Sequence, residues 1–400
     1  MSKSSMFTLF AALVAGTFAV TTAAQQVSPA VAKTLQAAQN ASKARKWAEC
    51  LSNLRQAEAN PAKSAYDGFI INELTAFCAL SSNDTAAALR AYEANLGSQY
   101  LGDKANARVK DLTKLHFNAR NYDKSIEFGQ RAIKEGYGDA DTYLVVAQSY
   151  YQKNDYKGAR TFVGDWIRDQ ERRGQRPREN AIQIYVTSCM RLKDDACTSA
   201  GFEKLVTYYP KPEGWANLMQ ALFRTRSEAA AFNAYRLATE VGAMRTSDDY
   251  TEMAQRALER GLAAEAQKTL ETAFARNAFT DKRDIDRNTR LLKTAKERAA
   301  AERAGLSKAD RDAAAGKDGN ADLRVGQQFM ANGQFAQAVT AIERGIGKGN
   351  VSNPAEAQLV LGIAQFKAGN KAGAAKAFRA IKSDDGDLMR VGKLWSLRAQ

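Results

Sequence analysis

The chain repeats one pattern of small and large apolar residues about every 34 residues, which is the period of stacked helical repeats. One clear instance contains Tyr143, Val146, Ala147, Tyr150, Ala159, Val163 and Trp166. The same spacing returns at Val109, Leu112 and His116, at Trp215, Leu218 and Leu222, and at Tyr250, Met253 and Ala254. Such periodicity indicates supersecondary units that cover one another's apolar faces along an axis. Arrays of this kind generally bind partners and do not catalyse reactions.

Composition favours helix throughout. The chain has 400 residues, 45% of them hydrophobic, and only six prolines. Alanine is abundant, and alanine is the residue with the highest helix propensity. No run of alternating β-branched residues is present, so we predict an all-α protein with almost no strand.

The first residues predict an export signal. Lys3 supplies a positive charge, and residues 6–20 form an apolar stretch too short to span a bilayer comfortably. Small residues end at Ala24, where we expect cleavage. The mature chain is then expected in the periplasm of a bacterium, and an uncleaved anchor is the alternative. No later segment is apolar enough to cross a membrane, so no transmembrane span is expected after cleavage.

Four cysteines suit an oxidising compartment. Cys50 and Cys78 lie on consecutive predicted helices, and Cys189 and Cys197 flank a short turn. Antiparallel packing would place each pair side by side, which makes disulfides Cys50–Cys78 and Cys189–Cys197 sterically sensible. The alternative is that all four are small buried core residues.

A formal charge of +14 attracts anions. Because the export signal removes the chain from nucleic acid, no nucleic-acid partner is expected. Lipopolysaccharide, peptidoglycan, anionic lipid headgroups or an acidic protein fit better. A solvated surface that only keeps the protein soluble is the competing interpretation.

The sequence divides into four predicted segments. Residues 1–24 form the signal peptide, and 27–280 form an array with helix pairs at 106–136, 140–173, 179–209, 212–241 and 247–277. Residues 281–320 are rich in charge and contain no aromatic residue, so they are predicted to be a charged linker, a solvated helix that ends in a flexible joint near Gly316 and Gly319. Residues 321–400 form a C-terminal pair and an amphipathic capping helix that contains Trp395.

The pattern resembles the tetratricopeptide repeat. The strongest matches are Tyr143, Val146-Ala147, Tyr150 and Ala159, then Val325-Gly326, Phe329 and Ala338, then Leu361-Gly362, Ala374 and Phe378. Small residues let paired helices approach closely, and aromatic residues fill the adjacent groove. The predicted fold is therefore a right-handed superhelical solenoid of antiparallel helix pairs. The resemblance implies recognition of a peptide or protein on the concave surface and implies no enzymatic activity.

Exposed positions on the first helices of the repeats are the candidate partner-binding residues. They are Lys110, Lys114, Asn118, Gln148, Tyr151, Gln152, Arg191, Gln220 and Arg224. Together they predict a basic groove suited to a carboxylate-bearing or acidic segment. The alternative is that these are ordinary solvent-facing residues.

Catalytic and cofactor signals are weak. His116 is the single histidine and falls where the repeat packs an aromatic residue, so we expect no metal site and no histidine-based catalysis. Residues 345–350 resemble a phosphate loop, but they follow a helix and lack the Gly-Lys-Ser/Thr ending, which indicates a turn. We therefore expect no cofactor.

The predicted function is that of a non-enzymatic periplasmic scaffold or adaptor. The arrangement of its segments is similar to that of exported proteobacterial repeat proteins of the cell envelope, some of which accompany TonB-type energy-transducing systems. The alternative function is a charge-driven binder of envelope polyanions, which steep loss of binding with salt would reveal.

Overall fold

In the computed structural model, residues 26–220 and 222–400 are described, and they form helices and connecting turns with no strand among them. The prediction of an all-α chain built from helix pairs is confirmed. The predicted signal peptide, residues 1–24, lies outside the described residues.

The described residues fall into two compact units, divided between Lys193 and Asp194. The first unit contains α1 (Pro29–Lys43), α2 (Trp47–Glu58), α3 (Ala65–Ser81), α4 (Thr85–Ala94), α5 (Ala105–Asn118), α6 (Tyr122–Lys134), α7 (Ala140–Gln152), α8 (Tyr156–Arg172) and α9 (Glu179–Arg191). The second contains α10 (Asp195–Tyr208), α11 (Pro212–Met219), α12 (Glu228–Glu240), α13 (Ser247–Glu259), α14 (Ala263–Ala275), α15 (Lys282–Ala315), α16 (Gly319–Ala331), α17 (Phe335–Lys348), α18 (Pro354–Lys367), α19 (Lys371–Arg379) and α20 (Gly386–Ala399). Short 3₁₀ helices cover Gln99–Lys104 and Leu222–Arg224.

Turns inside the helix pairs share one combination of backbone conformation and helix cap, as two of them show. Asn83 and Asn154 adopt φ values of 62° and 64°, the left-handed region that asparagine tolerates better than most residues. The following residues, Asp84 and Asp155, then accept a hydrogen bond from a backbone N–H in the first turn of the next helix. The chain therefore reverses within three residues, and the two helices of each pair pack antiparallel.

The start of α1 is fixed to α3 by a buried carboxylate. Asp67 is fully buried, and the backbone N–H and the hydroxyl of Ser28 donate to it at 2.9 and 2.6 Å. Ser64 completes a capping box at the start of α3. Burial alone would raise the pKa of Asp67, but the hydrogen bonds from Ser28 and Ser64 outweigh burial and lower it.

We expect Asp67→Ala to lower the free energy of unfolding by about 1–3 kcal/mol at neutral pH. The folded-state pKa lies below the unfolded value of about 4, so this stabilisation is fully present above the unfolded pKa and is lost as pH falls through the folded pKa. Urea denaturation at pH 7 and in strong acid measures both effects. Asp123→Ala, whose side chain is 86% exposed, is the control, and an equal effect of the two substitutions would contradict the assignment.

In the second unit, α12 is buried on all sides. Every residue from Ala229 to Ala238 is buried, which includes the polar Asn233 and Arg236. Arg236 donates to both carboxylate oxygens of Glu265 at 2.8 and 2.7 Å, and Asn233 donates to Glu356 at 3.0 Å. Because these partners lie on α14 and α18, the repeats of this unit close around α12.

The C-terminal helix completes this enclosure. Trp395 on α20 is fully buried and donates its indole N–H to the carbonyl oxygen of Asn233 at 3.0 Å. Glu240, near the end of α12, accepts hydrogen bonds from Lys367 and Arg398. Thus α20 covers the apolar residues of the repeat array, and it also holds α12 from a second side.

The structure differs from the sequence-based division into segments. Residues 282–315, predicted as part of a linker, form the single 34-residue helix α15. Its charges face solvent, while Ala295, Ala299 and Leu306 are buried against the second unit's core. The chain divides into its two units between residues 193 and 194, and α15 lies within the second unit. Alanine spaced along α15 provides enough apolar surface to pack there, although the average composition of the helix is polar.

A substitution at Gly362 tests the packing within a helix pair directly. A Cβ built on this buried glycine of α18 would lie 2.3 Å from the ring of Phe378 on α19. We expect Gly362→Ala to lower the free energy of unfolding by about 1–3 kcal/mol, because the helices would have to separate. Gly347→Ala in α17 is the matched control, since nothing lies within 4 Å of its Cβ and alanine favours helix. Thermal denaturation should rank them in opposite directions, and equal melting temperatures would contradict this packing.

Candidate docking surface

Side chains at the ends of α5, α7 and α9 recur at equivalent positions of successive repeats in the first unit. We call this set the docking row, and it consists of Lys114, Phe117, Asn118, Arg120, Gln148, Tyr151, Gln152, Met190 and Arg191. Phe117, Asn118 and Arg120 line one groove together with Tyr122 and Gln152. The guanidinium of Arg191 lies 3.5 Å from the hydroxyl of Tyr151. The helix ends therefore bring residues from three repeats onto one surface.

Aromatic side chains form the apolar part of this surface. Tyr151 contacts Tyr156 edge-on with ring centroids 5.2 Å apart, and Phe117 contacts Tyr122 at 5.9 Å. Met190 continues the series, and 55% of its surface is exposed. An exposed methionine beside half-buried aromatic rings is an adaptable apolar contact for a partner.

The docking row is basic. Among the described residues, Lys114, Arg120 and Arg191 form no ion pair with a carboxylate. By contrast, Lys153 pairs with Asp123, and Lys110 pairs with Asp139 at 2.9 Å. This contact contributes to lowering the pKa of Asp139 strongly, against the effect of burial. The charges of these three cations are therefore not neutralised by an ion pair and can bind carboxylates of an acidic ligand.

The structure does not bring all nine predicted partner-binding residues onto one surface. Asn118, Tyr151, Gln152 and Arg191 lie within the docking row, as do the half-buried Lys114 and Gln148. Lys110 is paired with Asp139. Gln220 and Arg224 belong to the second unit, where they line a different pocket.

Sequence reasoning missed Phe117, Tyr122, Tyr156 and Met190. The signal was available for three of them, because Phe117 and Tyr151 are separated by one repeat, as are Tyr122 and Tyr156. Aromatic residues are usually assigned to the core from sequence, and only the structure places these at the helix ends.

His116 lies in the core of the first unit. It is 3% exposed, stacks on Phe128 with ring centroids 5.3 Å apart, and its Nε2 lies 2.9 Å from a carboxylate oxygen of Glu93. Burial lowers the pKa of His116, and Glu93 only partly opposes that effect. The histidine therefore occupies the aromatic position of the repeat.

Cys50 and Cys78 are joined between α2 and α3, with their Cα atoms 6.5 Å apart. The pairing Cys189–Cys197 stays a prediction. We expect no free thiol in the denatured, unreduced exported protein and four after reduction. Reduction should also lower the free energy of unfolding of the first unit by about 2–4 kcal/mol. Four thiols before reduction would contradict both pairings.

Within residues 26–220 and 222–400, none of the helices has the combination of length and apolar composition that spanning a bilayer requires.

The sequence model of the tetratricopeptide repeat family matches residues 324–387. This segment covers most of α16 and all of α17, α18 and α19, and the match confirms the resemblance there. No curated protein sequence matches the chain.

Three solved structures are similar at low identity. A tetratricopeptide repeat protein from Parabacteroides merdae is 10% identical, with 82% of this chain and 98% of that chain covered and a TM-score of 0.29. The TPR2AB domain of yeast Sti1, solved as a complex with pHSP90, is 15% identical, with coverage of 74% and 99% and a TM-score of 0.26. The C-terminal part of a repeat protein from Cytophaga hutchinsonii is 16% identical, with coverage of 66% and 98% and a TM-score of 0.34. We draw no functional conclusion from similarities this low.

Proposed function

We propose that the protein is a non-enzymatic adaptor of the bacterial cell envelope that binds a protein or peptide partner through the docking row. The observation that supports this most is the recurrence of amide, aromatic and cationic side chains at the ends of the first helices of successive repeats. A surface with a regular repeat offers similar contacts to successive segments of an elongated ligand. The second unit offers no such inner surface in its described part, because α12 fills it.

The partner proposed for the docking row is an acidic segment with interspersed apolar residues. Lys114, Arg120 and Arg191 would bind its carboxylates, and charge-assisted hydrogen bonds of this kind are about twice as strong as neutral ones. Tyr151 and Met190 would contact its apolar side chains. Asn118 and Gln152 carry both donors and acceptors, which suits recognition of an extended backbone.

The proposed location is the periplasm. Lys3, the apolar stretch 6–20 and the small residues before Gln25 support export. N-terminal sequencing of the protein from a periplasmic extract should find a mature chain that begins near Gln25. An intact N-terminus in the membrane fraction would support the uncleaved anchor. Partners linked to TonB-type systems are the first candidates to examine, because the order of segments is similar to that of proteins found with them.

Site-specific photo-crosslinking in living cells tests the docking row. A photoreactive phenylalanine analogue replaces Gln152, and in a matched control it replaces Lys134, which is exposed on α6. We expect a discrete protein adduct at position 152 and none at 134. A charge-reversal variant with Lys114→Glu, Arg120→Glu and Arg191→Glu should reduce the adduct at least tenfold.

Two results would count against the proposal. Equal adducts at both positions would show that the surface is not selective. An adduct that contains glycan or lipid and no protein, with binding that falls steeply as salt rises, would favour the polyanion binder instead.

A further inference from the structure

A second potential binding site lies in the second unit, apart from the docking row. It is a pocket of about 550 Å³, a size within the usual range for small-molecule sites. The 3₁₀ helix Leu222–Arg224 and helix α12 form one wall, and the start of α13 forms the other. Nothing in the proposed adaptor function uses this pocket.

Two aromatic rings form the apolar wall. Phe223 and Tyr235 are stacked with centroids 4.4 Å apart and an angle of only 2° between the planes. Tyr235 is 95% buried as part of α12, and Phe223 is half-buried at the pocket. A planar side chain of a ligand can extend this stack on Phe223.

The hydroxyl of Tyr235 is the polar group of this wall. Within the described residues it makes no hydrogen bond, although the residue is almost fully buried and lines the pocket. The hydroxyl oxygen itself keeps contact with solvent, so a ligand in the pocket can take the place of water as its hydrogen-bond partner. Burial, with smaller effects of Asp249 and Glu252, raises the pKa of Tyr235 to about 12, so the hydroxyl is a donor at neutral pH.

Two arginines and one aspartate at this pocket have no close ion-pair partner. Arg224 forms no ion pair or hydrogen bond with any described residue. The guanidinium of Arg245 donates only to the side-chain oxygen of Asn217 and the carbonyl of Glu213, at 3.2 and 3.1 Å, so its charge has no carboxylate partner. On the acidic side, Asp248 is 86% exposed and its one ion pair is a long 3.7 Å contact with Arg287.

We propose that this pocket binds a free aromatic α-amino acid as its zwitterion. Arg224 and Arg245 hold the carboxylate, Asp248 holds the ammonium group, and the side chain stacks on Phe223. The hydroxyl of Tyr235 donates a further hydrogen bond to the ligand. Cations and an anion in one pocket favour a zwitterion over a simple anion, because a simple anion would leave Asp248 repelling it.

Isothermal titration calorimetry on the full mature chain tests this, with L-phenylalanine as the probe. L-alanine, phenylalanine methyl ester and N-acetylphenylalanine serve as comparison ligands that lack the ring, the carboxylate and the ammonium charge. We expect saturable binding of L-phenylalanine and at least tenfold weaker binding of the other three. Arg224→Ala should weaken binding of L-phenylalanine about tenfold or more, and Tyr235→Phe, which keeps the ring stack, about threefold or more.

Arg226→Ala is the matched control, since Arg226 is exposed two residues from Arg224 and does not line the pocket. It should bind L-phenylalanine as the unmodified protein does. No heat of binding at millimolar ligand, equal binding of the methyl ester, or equal loss in the Arg224 and Arg226 variants would each overturn the proposal. Since photo-crosslinking at Gln152 does not involve this pocket, either proposal can fail alone.

Discussion

Replacing Trp395 with alanine is expected to lower the free energy of unfolding of the second unit by about 3–5 kcal/mol. The side chain is fully buried in α20 and contacts Phe366 with ring centroids 6.3 Å apart. Its indole N–H also donates to the carbonyl of Asn233. Alanine would leave a large cavity and remove the indole hydrogen bond at the contact between α20 and α12, and both effects have the same sign.

Urea denaturation followed by far-UV circular dichroism measures this change without depending on tryptophan fluorescence. Met389→Ala is the control on the same helix, because Met389 is 38% exposed. We expect its effect to be below about 1 kcal/mol. If the two variants unfold at the same urea concentration, α20 is not the closing helix of this unit.

Arg236→Ala is also expected to lower the free energy of unfolding of the second unit by about 3–5 kcal/mol, but for an electrostatic reason. The Arg236 side chain is 4% exposed and makes a bidentate pair with Glu265, which is itself only 18% exposed. A third contact joins Arg236 to Gln327 at 3.1 Å. Removing the guanidinium leaves the buried carboxylate of Glu265 without a cation, so the unpaired charge, more than the lost contact, produces the destabilisation.

A double substitution separates these causes. Arg236→Met with Glu265→Gln removes both charges and keeps most of the volume, so it should recover more than half of the stability lost in Arg236→Ala. Lys268→Ala on the same helix as Glu265 is exposed and should change little. A double variant less stable than Arg236→Ala would show that the pair itself stabilises the unit, contrary to this account.

The repeat period was sufficient to predict the helix pairs. The predicted pair 140–173 matches α7 and α8, and the predicted pair 247–277 matches α13 and α14, because spacing of apolar residues is a local property of the chain. The family match to residues 324–387 covers the last two pairs.

Enclosure of α12 could not be predicted from the same pattern. Asn233 and Arg236 have the composition of solvent-facing residues, and the groups that allow their burial, Glu356 and Glu265, are distant in sequence. The packing of α15 into the second unit was missed for a related reason, since its buried face is mostly alanine and its mean composition is polar. Polar contacts between residues distant in sequence, and helix faces made of small residues, add little to the periodic pattern of apolar residues.

The first unit presents an open docking row, while the second unit encloses α12. Hydroxyl-radical footprinting of the full chain, read residue by residue by mass spectrometry, tests both statements in one measurement. We expect rapid oxidation of Met190, measurable oxidation of Phe117 and Tyr151, and strong protection of Phe232 and Trp395. Protection of Met190 together with Tyr151, or oxidation of Phe232 and Trp395 at rates like that of Met190, would contradict it.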